Sequence, residues 1–140
     1  MLVRDMLRRP PVTIPVTATV EEAAEAIANN KVGLLVIVDP REPRKPLGVI
    51  SERDVIRAIA GKAPPTVTVD KAGTMEHFVW IRDDEPIYRA ADLMRKHHIR
   101  HLVVLDREGK LVGVLSIRDL IAEDKIIESL SAERRPATRE

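Results

Sequence analysis

Cysteine is absent from the 140 residues, which removes disulfides, thiol nucleophiles and Cys-ligated zinc from consideration. Aromatic side chains number one Phe, one Tyr and one Trp, too few to stack the bases of a nucleic acid strand. Neither sign of charge dominates. The 23 Lys and Arg face 22 Asp and Glu, a formal net charge of +1, so nothing draws the chain generally toward nucleic acid. No apolar run approaches the roughly 18 residues that a membrane span requires. Residues 1–9 lack the apolar stretch of a signal peptide, so the cytoplasm is the expected compartment. Gln is missing and Asn occurs only at Asn29 and Asn30, while 32% of residues are charged. Few thermolabile amides among many charges point to a thermophile.

What is present is a repeat. At 44% hydrophobic residues the chain has the content of a globular protein, and its length suits one domain or two small repeats sharing a core. Val20, Ala23, Ala24 and Ile27 correspond to Ile87, Ala90, Ala91 and Met94, each set at the i, i+3, i+4, i+7 spacing of a helix with one buried face. Thr19 and Glu22 sit at capping-box spacing before the first, and Asp84, Glu85 and Pro86 open the second. Short Val-, Leu- and Ile-rich runs follow at residues 32–38 and 99–105 and read as buried strands. A loop over residues 39–46, two residues longer than its counterpart at 106–111, then leads to second strands at 47–50 and 111–115.

Each unit therefore reads strand (around 12–16, or 79–82), helix, strand, strand, helix. The expected architecture is α/β (α+β), with β-α-β-β-α repeats at residues 1–65 and 66–131 and a charged, frayed tail at 132–140. A unit of about 60 residues buries too little surface to stand comfortably alone, so the two should pack sheet to sheet about a pseudo-twofold axis. Gly61 is a candidate helix C-cap, and residues 64–70 form the connection.

Residues 47–56 read LGVISERDVI and residues 112–121 read VGVLSIRDLI, identical at six of ten positions. Packing alone asks only for apolar residues of suitable size. Ser51 and Ser116, each with an Asp three residues on, are explained by a helix cap worth about 1 kcal/mol. The Arg shared by both copies, Arg53 and Arg118, is not. The same corner also suits a nucleotide. A helix N-terminus attracts anions, Ser and Arg donate to phosphate oxygens, and Asp54 or Asp119 can accept from ribose hydroxyls. Val49 and Val114 on the preceding strands offer an apolar wall for a base.

The residues Ile99-Arg-His-Leu-Val-Val-Leu-Asp106 with Gly113-Val-Leu-Ser-Ile-Arg-Asp119, and their first copy Val32-Gly-Leu-Leu-Val-Ile-Val-Asp39 with Gly48-Val-Ile-Ser-Glu-Arg-Asp54, resemble the CBS domain family. The family is named after cystathionine β-synthase, and its paired form is called a Bateman module. The likeness covers roughly residues 3–130. It implies tandem β-α-β-β-α units that bind AMP, ADP, ATP or S-adenosyl ligands in clefts between them. It further implies ribose binding by Asp54 and Asp119, and phosphate contact by Ser51, Arg53, Ser116 and Arg118. Arg100 and His101 match the family's basic positions, and adenine contacts fall near Val12 for one cleft and Val79 for the other. The first copy has Gly33 and Leu34 where the second has Arg100 and His101. A charge-assisted bond is worth roughly 1.5–3 kcal/mol, tenfold or more in affinity. The Asp119 cleft should therefore be the tighter one for phosphorylated ligands.

Other candidates are weaker. His97, His98 and His101 are better explained as helix-terminal cations and a phosphate-facing His101 than as a metal site. No G-x-S-x-G, H-E-x-x-H or P-loop occurs, so catalysis is not expected. Trp80 reads as core or cleft lining. The expected role is a regulatory module with adenine nucleotide as ligand and no cofactor, forming a homodimer and signalling to a separate partner protein. The alternatives are a ligand-free dimerisation scaffold and an S-adenosylmethionine-binding module. Arg134, Arg135 and Arg139 read as a solvated tail.

Overall fold

A computed structural model describes residues 1–133. Strand β1 (Thr13–Pro15) leads through helix α1 (Val20–Asn30) to β2 (Leu34–Asp39), β3 (Glu42–Ser51) and α2 (Glu52–Ala60). A short helix α3 (Val69–Ala72) and strand β4 (Thr74–Met75) follow. The second repeat is β5 (Trp80–Arg82), α4 (Ile87–His97), β6 (His101–Leu105), β7 (Leu111–Ser116) and α5 (Ile117–Ile121), ending in α6 (Glu123–Ala132). In each repeat the first strand pairs parallel to the second, and the third returns antiparallel. The sheets are ordered β1-β2-β3-β4 and β5-β6-β7. The expected tandem β-α-β-β-α arrangement is the one observed.

Local signals account for the helices. The Thr19 hydroxyl accepts from the Glu22 amide at 3.1 Å while the Glu22 carboxylate accepts from the Thr19 amide at 2.9 Å, so α1 starts where the capping box placed it. It buries Val20, Ala23 and Ile27 and ends on Lys31 in the left-handed conformation, φ 55°. Its counterpart α4 buries Ala90 and Met94 and ends on His98 at φ 53°. Pro86 occupies the N-cap of α4, one position earlier than the favoured first turn, and makes no side-chain cap. Gly61 is the C-cap of α2 at φ −79°, and the left-handed residue falls on Lys62.

Alternation along the strands, offset at Leu111 by the register shift between β6 and β7, builds three apolar layers. Leu35, Ile37 and Ile50 face the helices of the first repeat, and Leu102, Val104 and Leu115 face those of the second. Leu34, Val36 and Val38 point the other way and meet Val103, Leu105 and Leu111 between the sheets. Sheet-to-sheet packing is thus carried by opposite faces of the strands that also hold the helices.

Three features depart from the expectation. Residues 42–46 extend β3 rather than forming a loop, because the chain turns tightly enough to pair Asp39 with Glu42 across a register shift. Pro43 and Pro46 are tolerated there, since β4 covers β3 only at Gly48 and Val49. The connection at 64–70 runs into α3 and β4, elements too short to leave a periodic pattern. The last helix breaks at Ala122, φ 47°, into α5 and α6.

The leading segments cross over. Val3, in a 3-10 turn over Val3–Met6, is fully buried with Ile81, Leu102 and Leu115 of the second repeat. Its amide donates to the Glu85 carbonyl at 2.9 Å. Conversely Val69 of α3 is buried against the first repeat, where the Val20 amide donates to the Val67 carbonyl at 2.8 Å. No described helix is long and apolar enough to cross a membrane. Of the tail expected at 132–140, Ala132 instead ends α6, and residues 134–140, with Arg134, Arg135 and Arg139, lie outside the described residues. Val3→Ala should destabilise the protein by about 2 kcal/mol, as cavity-forming truncations of this size do. A denaturation midpoint unchanged by it would show that the crossing arm contributes nothing.

Candidate functional site

The two serine corners have the same backbone. Ser51 and Ser116 are extended N-caps (φ −101° and −108°) of α2 and α5. Each carboxylate closes a capping box. The Asp54 Oδ2 accepts from the Ser51 amide at 2.9 Å, and the Asp119 Oδ2 from the Ser116 amide at 2.8 Å. The serine hydroxyls accept from the amides of Asp54 (3.1 Å) and Asp119 (3.3 Å). The first helical amides are also taken, Glu52 by the Gly33 carbonyl and Ile117 by that of Arg100. The anion-attracting helix end expected from the sequence is thus largely satisfied within the chain, and side chains must supply most donors for a phosphate.

The cap engages one oxygen of each aspartate and leaves the other facing outward. Asp119 Oδ1 lies 3.9 Å from the Arg8 Nε, and Asp54 Oδ1 accepts from Arg57 at 3.2 Å. Side-chain exposures of 20% and 15% leave both carboxylates reachable. Arg118 pairs with Glu123 at 3.1 Å while remaining largely exposed, so its guanidinium can exchange partners at little cost.

Each corner opens onto a cavity. The larger, about 720 Å³, has Val12, Arg100, His101 and Val114 in its wall together with Ser116, Arg118 and Asp119. All seven residues assigned to the Asp119 cleft meet there. The smaller, about 340 Å³, gathers Val49, Ser51, Arg53, Asp54 and Val79, the five assigned to the other. Both volumes fall within the range of small-molecule sites. Arg100 and His101 also line the smaller cavity, where the sequence reading did not place them.

Sequence reasoning missed several neighbours. Arg8, Arg9, Pro10 and Pro11 form one side of the larger cavity, and Lys31 another. Arg9 is anchored by donating to the carbonyls of Asn30 (3.0 Å) and Lys31 (3.2 Å) at the end of α1. The Arg-Arg-Pro-Pro run was a visible signal, but its position over a distant corner was not. Thr74, His77 and Phe78 complete the smaller cavity. Trp80 lines neither cavity and is 48% exposed, because its neighbour Ile81 takes the buried position on β5. His97 ends α4, His98 caps it and His101 begins β6, so two of the three histidines stand at the helix end and His101 stands apart from them on a strand.

Charge separates the cavities. The larger carries Arg8, Arg9, Lys31, Arg100 and Arg118 against Glu52 and Asp119. The smaller has Arg53, Arg57 and Arg100 against Glu52 and Asp54. Burial pushes the His101 imidazole below its ordinary 6.5, with Arg118 and Arg100 acting in the same direction and Glu52 and Asp119 opposing. Asp106 on the far side is held low by backbone hydrogen bonds from Lys110 and Glu108 and by Arg44.

A family model described as CBS domain matches residues 3–61 and 65–125. The structure of a CBS domain protein from Pyrobaculum aerophilum complexed with AMP is 40% identical at a TM-score of 0.83, covering 94% of this chain and 99% of that one. The CBS domain pair of protein MJ0100, in complex with 5'-methylthioadenosine and S-adenosyl-L-methionine, is 27% identical at 0.79, covering 89% and 96%. Among curated proteins, an uncharacterized 17.7 kDa protein of Acidianus ambivalens is 32% identical over 102 residues, 73% of this chain and 60% of the relative. A mitochondrial CBS domain-containing protein of Arabidopsis thaliana is 32% identical over 106 residues, 74% and 51% respectively. The chain spans roughly half to three fifths of the length of these curated relatives.

Because the folded His101 binds a proton less readily than an unfolded histidine, the unfolded state holds more protons below about pH 6.5, and stability falls as pH falls through that window. The ligand-free protein should lose more melting temperature between pH 7.5 and 5.5 than a His101→Gln variant does. Equal losses would remove His101 as the cause. The depressed carboxylates Asp39, Asp84 and Asp106 act below pH 4 and lie outside the comparison.

Proposed function

The chain belongs to the CBS domain family, and from that premise we propose that it is a regulatory adenine-nucleotide-binding module, AMP being the preferred ligand and ADP or ATP alternatives. The carrying observation is that both Ser-x-Arg-Asp corners open, with an accessible aspartate oxygen, onto cavities of nucleotide size. In each cleft the outward oxygen of Asp119 or Asp54 grips the ribose. Val114 or Val49 backs the base, with Val12 or Val79 from the other repeat closing over it. In the larger cleft Arg118, Arg100 and His101 meet the phosphate, with Arg8 and Lys31 adding positive field. Arg8 leaves Asp119 as the ribose arrives and turns to the anion. The ligand undergoes no chemistry, and the signal passes to a partner protein. The AMP complex of the Pyrobaculum protein supports this choice, while the MJ0100 complex keeps S-adenosylmethionine as an alternative.

Calorimetric titration of AMP, ADP, ATP and S-adenosylmethionine tests the reading. Wild type should bind AMP, and Asp119→Ala should weaken binding by tenfold or more and by a larger factor than Asp54→Ala. Equal losses would contradict the inequality of the clefts. If no ligand produced heat or a thermal shift, the module would be a ligand-free scaffold.

That second reading has its own observation. Ile56 and Ile59 on α2, Ile121 on α5, and Ile126, Ile127 and Leu130 on α6 are exposed at 44–64%. Such apolar helix faces suit burial against a second copy, as expected for a homodimer. Sedimentation should give a dimer for wild type and a monomer for Ile59→Glu combined with Ile127→Glu. A wild-type monomer would dismiss this assembly.

A further inference from the structure

The repeat is symmetric in backbone and asymmetric in side chains at one place. The Gly33 carbonyl accepts from the Glu52 amide at 3.0 Å, and that of Arg100 from the Ile117 amide at 2.9 Å. Leu34 pairs with Ser51 across its sheet as His101 pairs with Ser116. Gly33 and Leu34 therefore stand at the structural positions of Arg100 and His101, and they bring no cation. The missing side chain is what lets the second copy reach across. A Cβ on Gly33 would stand only 2.8 Å from the ring of His101, so the imidazole lies over the bare start of β2. The imidazole thereby faces both cavities, and Arg100 beside it in the chain lines both as well.

We propose that the two clefts share one phosphate dock, formed by Arg100 and His101, so that a phosphorylated nucleotide in the larger cleft weakens binding of a second one in the smaller, which remains open to an uncharged adenine nucleoside. This rests on the nucleotide-binding reading above. The larger cleft wins the dock because Arg8, Lys31 and Arg118 add to it. The smaller cleft has two cations besides, Arg53 and Arg57, the latter paired at 3.2 Å with the Asp54 that grips the ribose. With the dock occupied, a second phosphate loses Arg100 and His101, keeps only Arg53 and Arg57 as charged donors, and meets a like charge beside them. A nucleoside needs neither. Its sugar still has Asp54, and its base has Val49, Phe78, Val79 and Ile99.

Calorimetry on the full chain decides the matter. AMP should bind wild type in two steps, the second at least tenfold weaker than AMP binding to the smaller cleft of Asp119→Ala, where the dock is free. Asp119→Asn, which keeps an oxygen for the helix cap, serves if the alanine variant unfolds. Adenosine should bind wild type that carries AMP in its larger cleft alone as tightly as it binds the smaller cleft of unliganded Asp119→Ala. Two equal, independent AMP sites in wild type would overturn the proposal and leave the nucleotide reading standing. So would failure of AMP to bind the smaller cleft of either variant, or suppression of adenosine by AMP to the same extent as AMP itself. Absence of AMP binding to wild type and variants alike would sink the nucleotide reading and this inference with it.

Discussion

The apolar layer between the sheets is the constraint on which the rest depends. Leu34, Val36 and Val38 from β2 meet Val103, Leu105 and Leu111 from the second repeat. Each such side chain contributes about 1.5–3 kcal/mol relative to exposure, and a whole domain is stable by only about 5–15 kcal/mol. Neither half, a small sheet with helices on one face, has enough core to dispense with it. The layer also fixes where the clefts lie. It brings the starts of β2 and β6 side by side, and the serine corners hydrogen-bonded to those starts open on either side of them.

The crossing segments reinforce the same joint. Val3 is buried in the second repeat's core and Val69 in the first's, so pulling the repeats apart would expose both. Residues 8–11, which continue from the first crossing segment, are thereby laid along the larger cleft. A piece of chain that completes one repeat's core thus also walls the larger cavity.

At the corners one carboxylate has two duties. Asp54 and Asp119 each give one oxygen to the helix cap and keep the other outward. Asp suits this better than Glu, because its shorter side chain ties the free oxygen to the helix end while the cap holds it still. The cap takes one oxygen and, in the proposed reading, the ribose takes the other, so the capping and nucleotide explanations of the motif are compatible. Preorganisation of this kind limits the ordering cost when a ligand arrives. The difference between the clefts comes from elsewhere, from the side chains at the starts of β2 and β6 and from the basic arm.

The duplication, the alternation of the strands, the capping boxes and the repeated residues of the two serine corners were legible in the sequence, since each depends on a local pattern or on identity between copies. Val12, Val79, Arg100 and His101, by contrast, were expected at the clefts only through the likeness to the CBS domain family. Helix α3, strand β4 and the break at Ala122 were not legible, because runs of two to five residues carry no period. Trp80 was misplaced because a three-residue strand does not reveal which of its faces is buried. Arg8, Arg9, Lys31 and Phe78 reached the clefts only through folding, and so did the sharing of Arg100 and His101. Sequence by itself determined what each repeat is and which corner repeats. Tertiary packing decided which distant side chains face that corner, because proximity across a pseudo-twofold joint is set by burial of the shared apolar layer rather than by order along the chain.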